Sequence, residues 1–311
     1  MSTSWLGYPQ VVLAWWCPVV AIGLWHLLRR LSVRLPARER FVLAVAAAMT
    51  PLLAVAVPYL PDSPLREALP WRAPMAWGIS SGITGVDGRH VLSALGTQLM
   101  FAASAAPLVS LVVSFTIGVV QVVRTERAVA LLAPQQCGDV WVAHAQGEAA
   151  RNLASTVGLL RPRIVLSSAV AASAEAPAII EHERAHSRAR HPLWIFLATC
   201  ALRSWWWIPG RKSVLAEMRL AAELWADQDA REAEGAAAVA KALCAQIDAR
   251  VRPGGQGGAA GGGSTRFLDP GIELAHRARA LACPPRTIAP WWAWSVRAVT
   301  AAATVTVAIL L

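Results

Sequence analysis

Charge is in short supply. Only 15% of the 311 residues are Asp, Glu, Lys or Arg, against 56% hydrophobic, and the mean hydropathy is +0.44. A chain this apolar is unlike a soluble domain of the same length and reads as a membrane protein. Cysteines are few and unpatterned: Cys17, Cys137, Cys200, Cys244 and Cys283 include no C-x-x-C pair. That argues against a disulfide framework and a thiolate metal site, and suits buried thiols or a reducing compartment. Acidic residues are outnumbered 19 to 29, for a net charge of +10. No stretch interleaves bases with aromatics along a soluble face, so direct nucleic-acid binding is not expected. Arginines gathered at the cytoplasmic ends of membrane helices account for the excess.

Long apolar runs are present at about 11–28, 41–60, 91–123 and 288–311. Each can cover the roughly 20 residues that a hydrocarbon core requires. Pro51 and Pro107 predict kinks, because neighbouring helices can satisfy the freed backbone groups. The loop RRLSVRLPARER, Arg29 to Arg40, carries five arginines and one glutamate, while the first ten residues carry no charge. The positive-inside rule then places both termini outside and the segment 124–287 in the cytoplasm. With its basic residues after it, the first span does not read as a cleavable signal. The expectation is a mainly α, multi-pass protein of the cell membrane. Residues 1–123 hold three spans, 124–287 form a cytoplasmic α+β domain, and 288–311 form a fourth span.

Within the cytoplasmic segment, DVWVAHA (139–145) and PRIVLSS (162–168) are short β-branched runs that predict strands. A helix is expected from about Ala174 through His186, and another from about Val214 to Ala249. PGGQGGAAGGGS (253–264) reads as a flexible linker, and ELAHRARALACPPR as a helix stopped by Pro284 and Pro285. The apolar run Leu193 to Ile208 ends in WWWIPG and contains Arg203, so it reads as interfacial or partly re-entrant.

The chemistry lies in IIEHERAHSRARHPLW (179–194). His182-Glu183-Arg184-Ala185-His186 is an H-E-x-x-H pattern. On a helix its two histidines share one face and can bind one Zn²⁺, with Glu183 placed as general base. The competing reading is a solvated helix face whose histidines bind nothing. A catalytic zinc site takes three protein ligands, so one more is needed. AAELWADQDA supplies Glu223 and, four residues on, Asp227. Glu223 can complete a His₂Glu site, and Asp227 can accept the free N–H of a ligand histidine. Glu217, Asp229 and Glu232 are rivals by residue type, and the Glu223/Asp227 spacing is also that of an ordinary surface pair. For the helix carrying Glu223 to return to the motif, the chain must turn near IPGRK (208–212) and bend in its first arm. His191 is expected at the interface rather than as a fourth ligand, and His144 packed or solvated. His26 sits in the first span near its end, where a polar group is either functional or interfacial. Tyr8 and Tyr59 lie outside the cytoplasmic segment, so an oxyanion donor there would be histidine, arginine or backbone. The strand Arg163 to Ser168 is a candidate for pairing with an extended substrate.

These motifs, with GLLRPRIVLSSAV (158–170) and WWWIP, resemble the BlaR/MecR type of membrane zinc metallopeptidase. More distantly they resemble the HtpX and CAAX-prenyl-protease group, which shares a downstream E-x-x-A-D. The likeness covers about 139–287 and the four-span layout. It implies a zincin-like domain with His182, His186 and Glu223 as zinc ligands, Glu183 as base and Asp227 behind them. It also implies cytoplasmic cleavage of a protein, often a DNA-binding repressor. The antibiotic-sensing members carry an extracellular penicillin-binding domain after the last span. This chain stops at Leu311, so a β-lactam signal is not expected. A second class of function, a non-catalytic membrane signalling or scaffold protein with a structural or vestigial zinc site, fits the same residues.

Overall fold

The computed structural model describes residues 35–56, 88–144, 153–251 and 270–283, parts of 18–29, and the single positions 295 and 298. Its helices are α1 (Ala37–Ala56), α2 (Gly88–Leu131), α3 (Ser168–Ala171), α4 (Ala176–Arg188), α5 (His191–Ser204), α6 (Arg211–Glu234), α7 (Ala236–Val251) and α8 (Pro270–Ala282). Four strands, β1 (Gln135–Cys137), β2 (Val140–Ala143), β3 (Ala154–Val157) and β4 (Arg163–Ser167), form one sheet in the order β1-β2-β4-β3. β2 and β4 run parallel, while β1 and β3 are antiparallel to their neighbours. The two expected strands are thus β2 and β4, and β1 and β3 flank them. β4 is an interior strand, with Ile164 opposite Val140 on one side and Thr156 on the other. Its backbone edges are therefore occupied, which removes 163–168 as a docking edge for substrate.

Helix α6 organises the helical part. Toward its start, Val214, Leu215 and Met218 are buried with Phe41 and Ala44 of α1 and Leu202 of α5. Toward its end, Ala230 is buried with Ala178 and Ile179 of α4 and with Val239 and Ala242 of α7. Ala221, Ala226 and Ala230 are fully covered, and such small side chains let neighbouring helices approach the backbone closely. The chain enters α6 through Gly210, whose φ of 80° is left-handed and where a side chain would collide with the imidazole of His26. His26 Nε2 lies 3.3 Å from the Ser213 hydroxyl, so this histidine packs against the α5–α6 turn. The single long helix expected from 214 to 249 is two helices, α6 and α7, broken at Gly235 with φ 87°. The linker at 253–264 lies outside the described residues.

Four membrane spans are not supported. Among the described residues one helical stretch, Ala106–Leu131 in α2, is long and apolar enough to cross a membrane. It begins inside the expected third span, 91–123, and runs past its end. Only 17% of its apolar window is buried, and Val109, Val112 and Phe115 are exposed along it. α5 packs on this helix, where Gly118 leaves room for the Phe196 ring, which a Cβ would meet at 2.7 Å. The expected second span coincides with α1, but Phe41, Ala44 and Ala48 of α1 face the protein core. The expected spans at 11–28 and 288–311 fall largely outside the described residues, as do residues 57–60.

Candidate metal centre

The apolar positions of α4 explain how the site is aimed. Ala176, Ala178, Ile179, His182, Glu183 and Ala185 are its buried residues, and most follow the helical period around its inner face. Pro177 lies in the first turn, where its missing N–H costs nothing. The apolar members fix the rotation of the helix, and this turns His182 and Glu183 inward with them. α4 then ends, and Arg190 adopts a left-handed conformation (φ 52°, ψ 38°) before α5 begins at His191. This break is the expected bend in the first arm. It allows α6 to return alongside α4.

Three side chains converge. His182 Nε2 lies 3.1 Å from His186 Nε2 and 3.5 Å from Glu223 Oε2, and His186 Nε2 lies 3.5 Å from Glu223 Oε1. One ligand atom from each of the three residues falls within 4.8 Å of the others. Donors at about 2.0–2.2 Å from a tetrahedral ion stand about 3.3–3.5 Å apart, so this spacing fits a metal's ligand shell. Two imidazoles and a carboxylate suit zinc among the common ions, although other divalent first-row metals accept the same donors. The buried His-His-Glu group can hold a metal ion. Of the rival acids, Glu217 accepts from Arg40 at 2.9 Å and Glu232 from Gln228 at 3.1 Å, and Asp229 lies outside the cluster.

The surrounding residues set the charge of the site. Asp227 Oδ1 is 2.9 Å from His182 Nδ1, the contact expected of a residue behind a ligand histidine. Arg277 of α8 completes the arrangement. It donates to both Asp227 oxygens at 2.7 Å and stands 3.1 Å from Glu223 Oε2. Burial works against a charge on His182, but the Asp227 and Glu223 carboxylates outweigh it and raise its pKa to about 10. Burial would likewise keep Glu223 protonated, yet Arg277 and the two histidines hold its carboxyl well below the ordinary value. Asp227 is lowered against its burial by its bonds to His182 and Arg277. Burial depresses His186, with Glu223 pulling the other way. In the metal-free protein the cluster therefore favours a proton on His182, in the place where a cation would sit.

Glu183 points to the sheet side of the cluster. Its Oε2 accepts from the Thr156 hydroxyl at 2.8 Å, and the same hydroxyl lies 2.9 Å from the Glu183 carbonyl. Strand β3 thus fixes the rotamer of the candidate base. His191 lies beside the His182, His186 and Glu223 group rather than within it. It is fully buried, its Nδ1 is 2.8 Å from His186 Nδ1, and burial with the nearby His186 pushes its pKa down to about 3. His144 is exposed at the end of β2.

Sequence reasoning therefore located His182, Glu183, His186, Glu223 and Asp227 in one place. It missed Arg277, Thr156 and the partnership of His191. Thr156 had a signal, since ASTV before Gly158 is a short β-branched run before a turn. Arg277 had none, because one arginine among several in a helical stretch is ordinary. Compared with known protein families, curated proteins and solved structures, the chain matches none.

Proposed function

We propose that the protein is a zinc-dependent endopeptidase held at a membrane, with its site at the cytoplasmic face. The observation that carries this reading is the spacing of His182, His186 and Glu223, with the buried carboxylate of Glu183 one residue from a ligand. Bound there, zinc supplies Lewis-acid activation of a water molecule and a peptide carbonyl. The chain's own residues do the rest. Asp227 and Arg277 hold His182 and Glu223 in place. Glu183, steadied by Thr156, takes the proton from the attacking water and returns it to the leaving amine. Strand β3 is one of the two edge strands of the sheet among the described residues and lies beside Glu183, so its outer backbone edge suits an extended peptide. The apolar face of α2 supports attachment to a lipid bilayer. The likeness of the motifs to the BlaR/MecR type adds a substrate class, a cytoplasmic protein such as a DNA-binding repressor.

The competing reading is a scaffold stabilised by zinc. Structural zinc sites are closed by four protein ligands, whereas among the described residues this cluster supplies three, which favours catalysis. Purified wild-type protein is expected to carry one zinc per chain and to cleave peptide. Glu183→Gln is expected to keep the zinc and lose the cleavage. Cleavage that survives in Glu183→Gln overturns the catalytic assignment. A folded wild type that binds no zinc overturns the metal centre itself.

A further inference from the structure

We propose that His191 orients His186 at the metal centre, by accepting a hydrogen bond from the Nδ1–H of His186 on its own Nδ1. This rests on the metal-centre reading above and goes beyond it by assigning the group that fixes the second ligand ring.

The proton placement follows by elimination. His186 Nε2 belongs to the ligand cluster, 3.1 Å from His182 Nε2 and 3.5 Å from Glu223 Oε1. A neutral imidazole carries hydrogen on one nitrogen and a lone pair on the other. For Nε2 to offer its lone pair to a metal, Nδ1 must carry the hydrogen. The polar atom within reach of that Nδ1 is His191 Nδ1, at 2.8 Å. Reversing the bond would put the His186 hydrogen on Nε2 and block the ligand position. His191 therefore accepts, and its own hydrogen is on Nε2. That Nε2–H is buried with no hydrogen-bond partner, a cost that the bond to His186 must offset.

The protein holds His191 in place from three sides. The left-handed Arg190 turns the chain so that the first residue of α5 comes back onto α4. Phe41 of α1 and Trp225 of α6 flank the ring with centroids at 4.6 Å and 4.8 Å. A buried polar group is as a rule hydrogen-bonded, so apolar packing alone does not explain a histidine here. The two ligand histidines are thus positioned by different chemistry. His182 is backed by a carboxylate, and His186 by a neutral imidazole that adds no further negative charge beside Glu223 and Asp227.

The test uses the full-length, detergent-solubilised protein. His191→Phe keeps an aromatic ring between Phe41 and Trp225 and removes the acceptor. His191→Asn restores an acceptor oxygen near the position of Nδ1. Zinc affinity, measured by competition with a chromophoric chelator, is expected to fall about 10–100-fold in His191→Phe and to recover most of that loss in His191→Asn. Nitrogen-15 NMR of the metal-free wild type is expected to show His186 protonated on Nδ1, a readout that does not depend on either variant folding. His191→Phe binding zinc as tightly as wild type, or His186 carrying its hydrogen on Nε2, overturns this assignment alone. Wild-type protein that binds no zinc overturns the metal centre and this assignment with it.

Discussion

Helix α6 serves two neighbourhoods, and its halves hold their partners by different means. From Arg211 to Ala222 the contacts are mostly apolar: Val214, Leu215 and Met218 are buried against α1 and α5, beside the part-buried ion pair Arg40–Glu217. From Glu223 onward the same helix meets His182, His186 and Arg277 through carboxylates. Apolar burial stabilises roughly in proportion to area, by about 25 cal/mol per Å², and tolerates modest repacking. Buried ionic groups add little net stability as a set, because desolvation offsets their attraction, but removing one member strands the others. The difference teaches that the half of α6 that carries chemistry contributes position more than stability. The stability comes from the half without chemistry together with the apolar cluster that Ala230 makes with α4 and α7.

The largest expected effect isolates chemistry from both halves. Glu183→Gln should lower peptide cleavage by about 10²–10⁴-fold, the usual contribution of general acid–base catalysis, while zinc content and melting temperature stay at wild-type values. Next, Arg277→Met should strand Glu223 and Asp227 and destabilise the protein by about 3–5 kcal/mol in denaturant titrations. Its zinc affinity should drop as well. A change below about 1 kcal/mol would show that the arginine is not the counter-charge that the ionic half depends on. Met218→Ala is the mirror experiment. The side chain is fully buried in the apolar half, so truncation should cost about 2–5 kcal/mol and leave zinc affinity of the folded protein unchanged. Weakened zinc binding there would show that the two halves are coupled. The smallest effect is in protons. The His182 pKa rises from 6.5 unfolded to about 10 folded, so its stabilisation of the metal-free protein is present below pH 6.5 and lost as pH climbs toward 10. At pH 7 a binding metal must displace that proton, and zinc titrations in weak buffer should release about one proton per chain.

How much of this was legible in the sequence depends on range. His182, Glu183 and His186 could be placed together because the helical period alone does so. Glu223 and Asp227 could be placed by the same period plus the requirement that the chain turn near IPGRK. Arg277 lies 50 residues beyond Asp227 along the chain, and no local rule links it to the acids it pairs with. The role of His191 depends on a non-glycine residue, Arg190, entering left-handed space, which residue type does not announce. Strands β2 and β4 were visible because they are β-branched and apolar, whereas β1 (Gln135–Cys137) is polar and exposed and carries no such signature. The apolar composition of α1 did not reveal that Phe41, Ala44 and Ala48 would pack against other helices. An apolar helix buried among protein helices and one facing lipid have similar composition, and only packing separates them.

The position of Arg277 also sets an order of events during synthesis. A chain leaves the ribosome from its N-terminus, so His182, His186, Glu223 and Asp227 all exist before the guanidinium that pairs with both acids. Until α8 docks, those carboxylates lack that partner and the centre is unfinished. A product truncated before residue 270 would carry the whole H-E-x-x-H motif and both acids, yet lack the group that holds the acids in register. The newly made protein therefore acquires a finished centre only once α8 has emerged and docked.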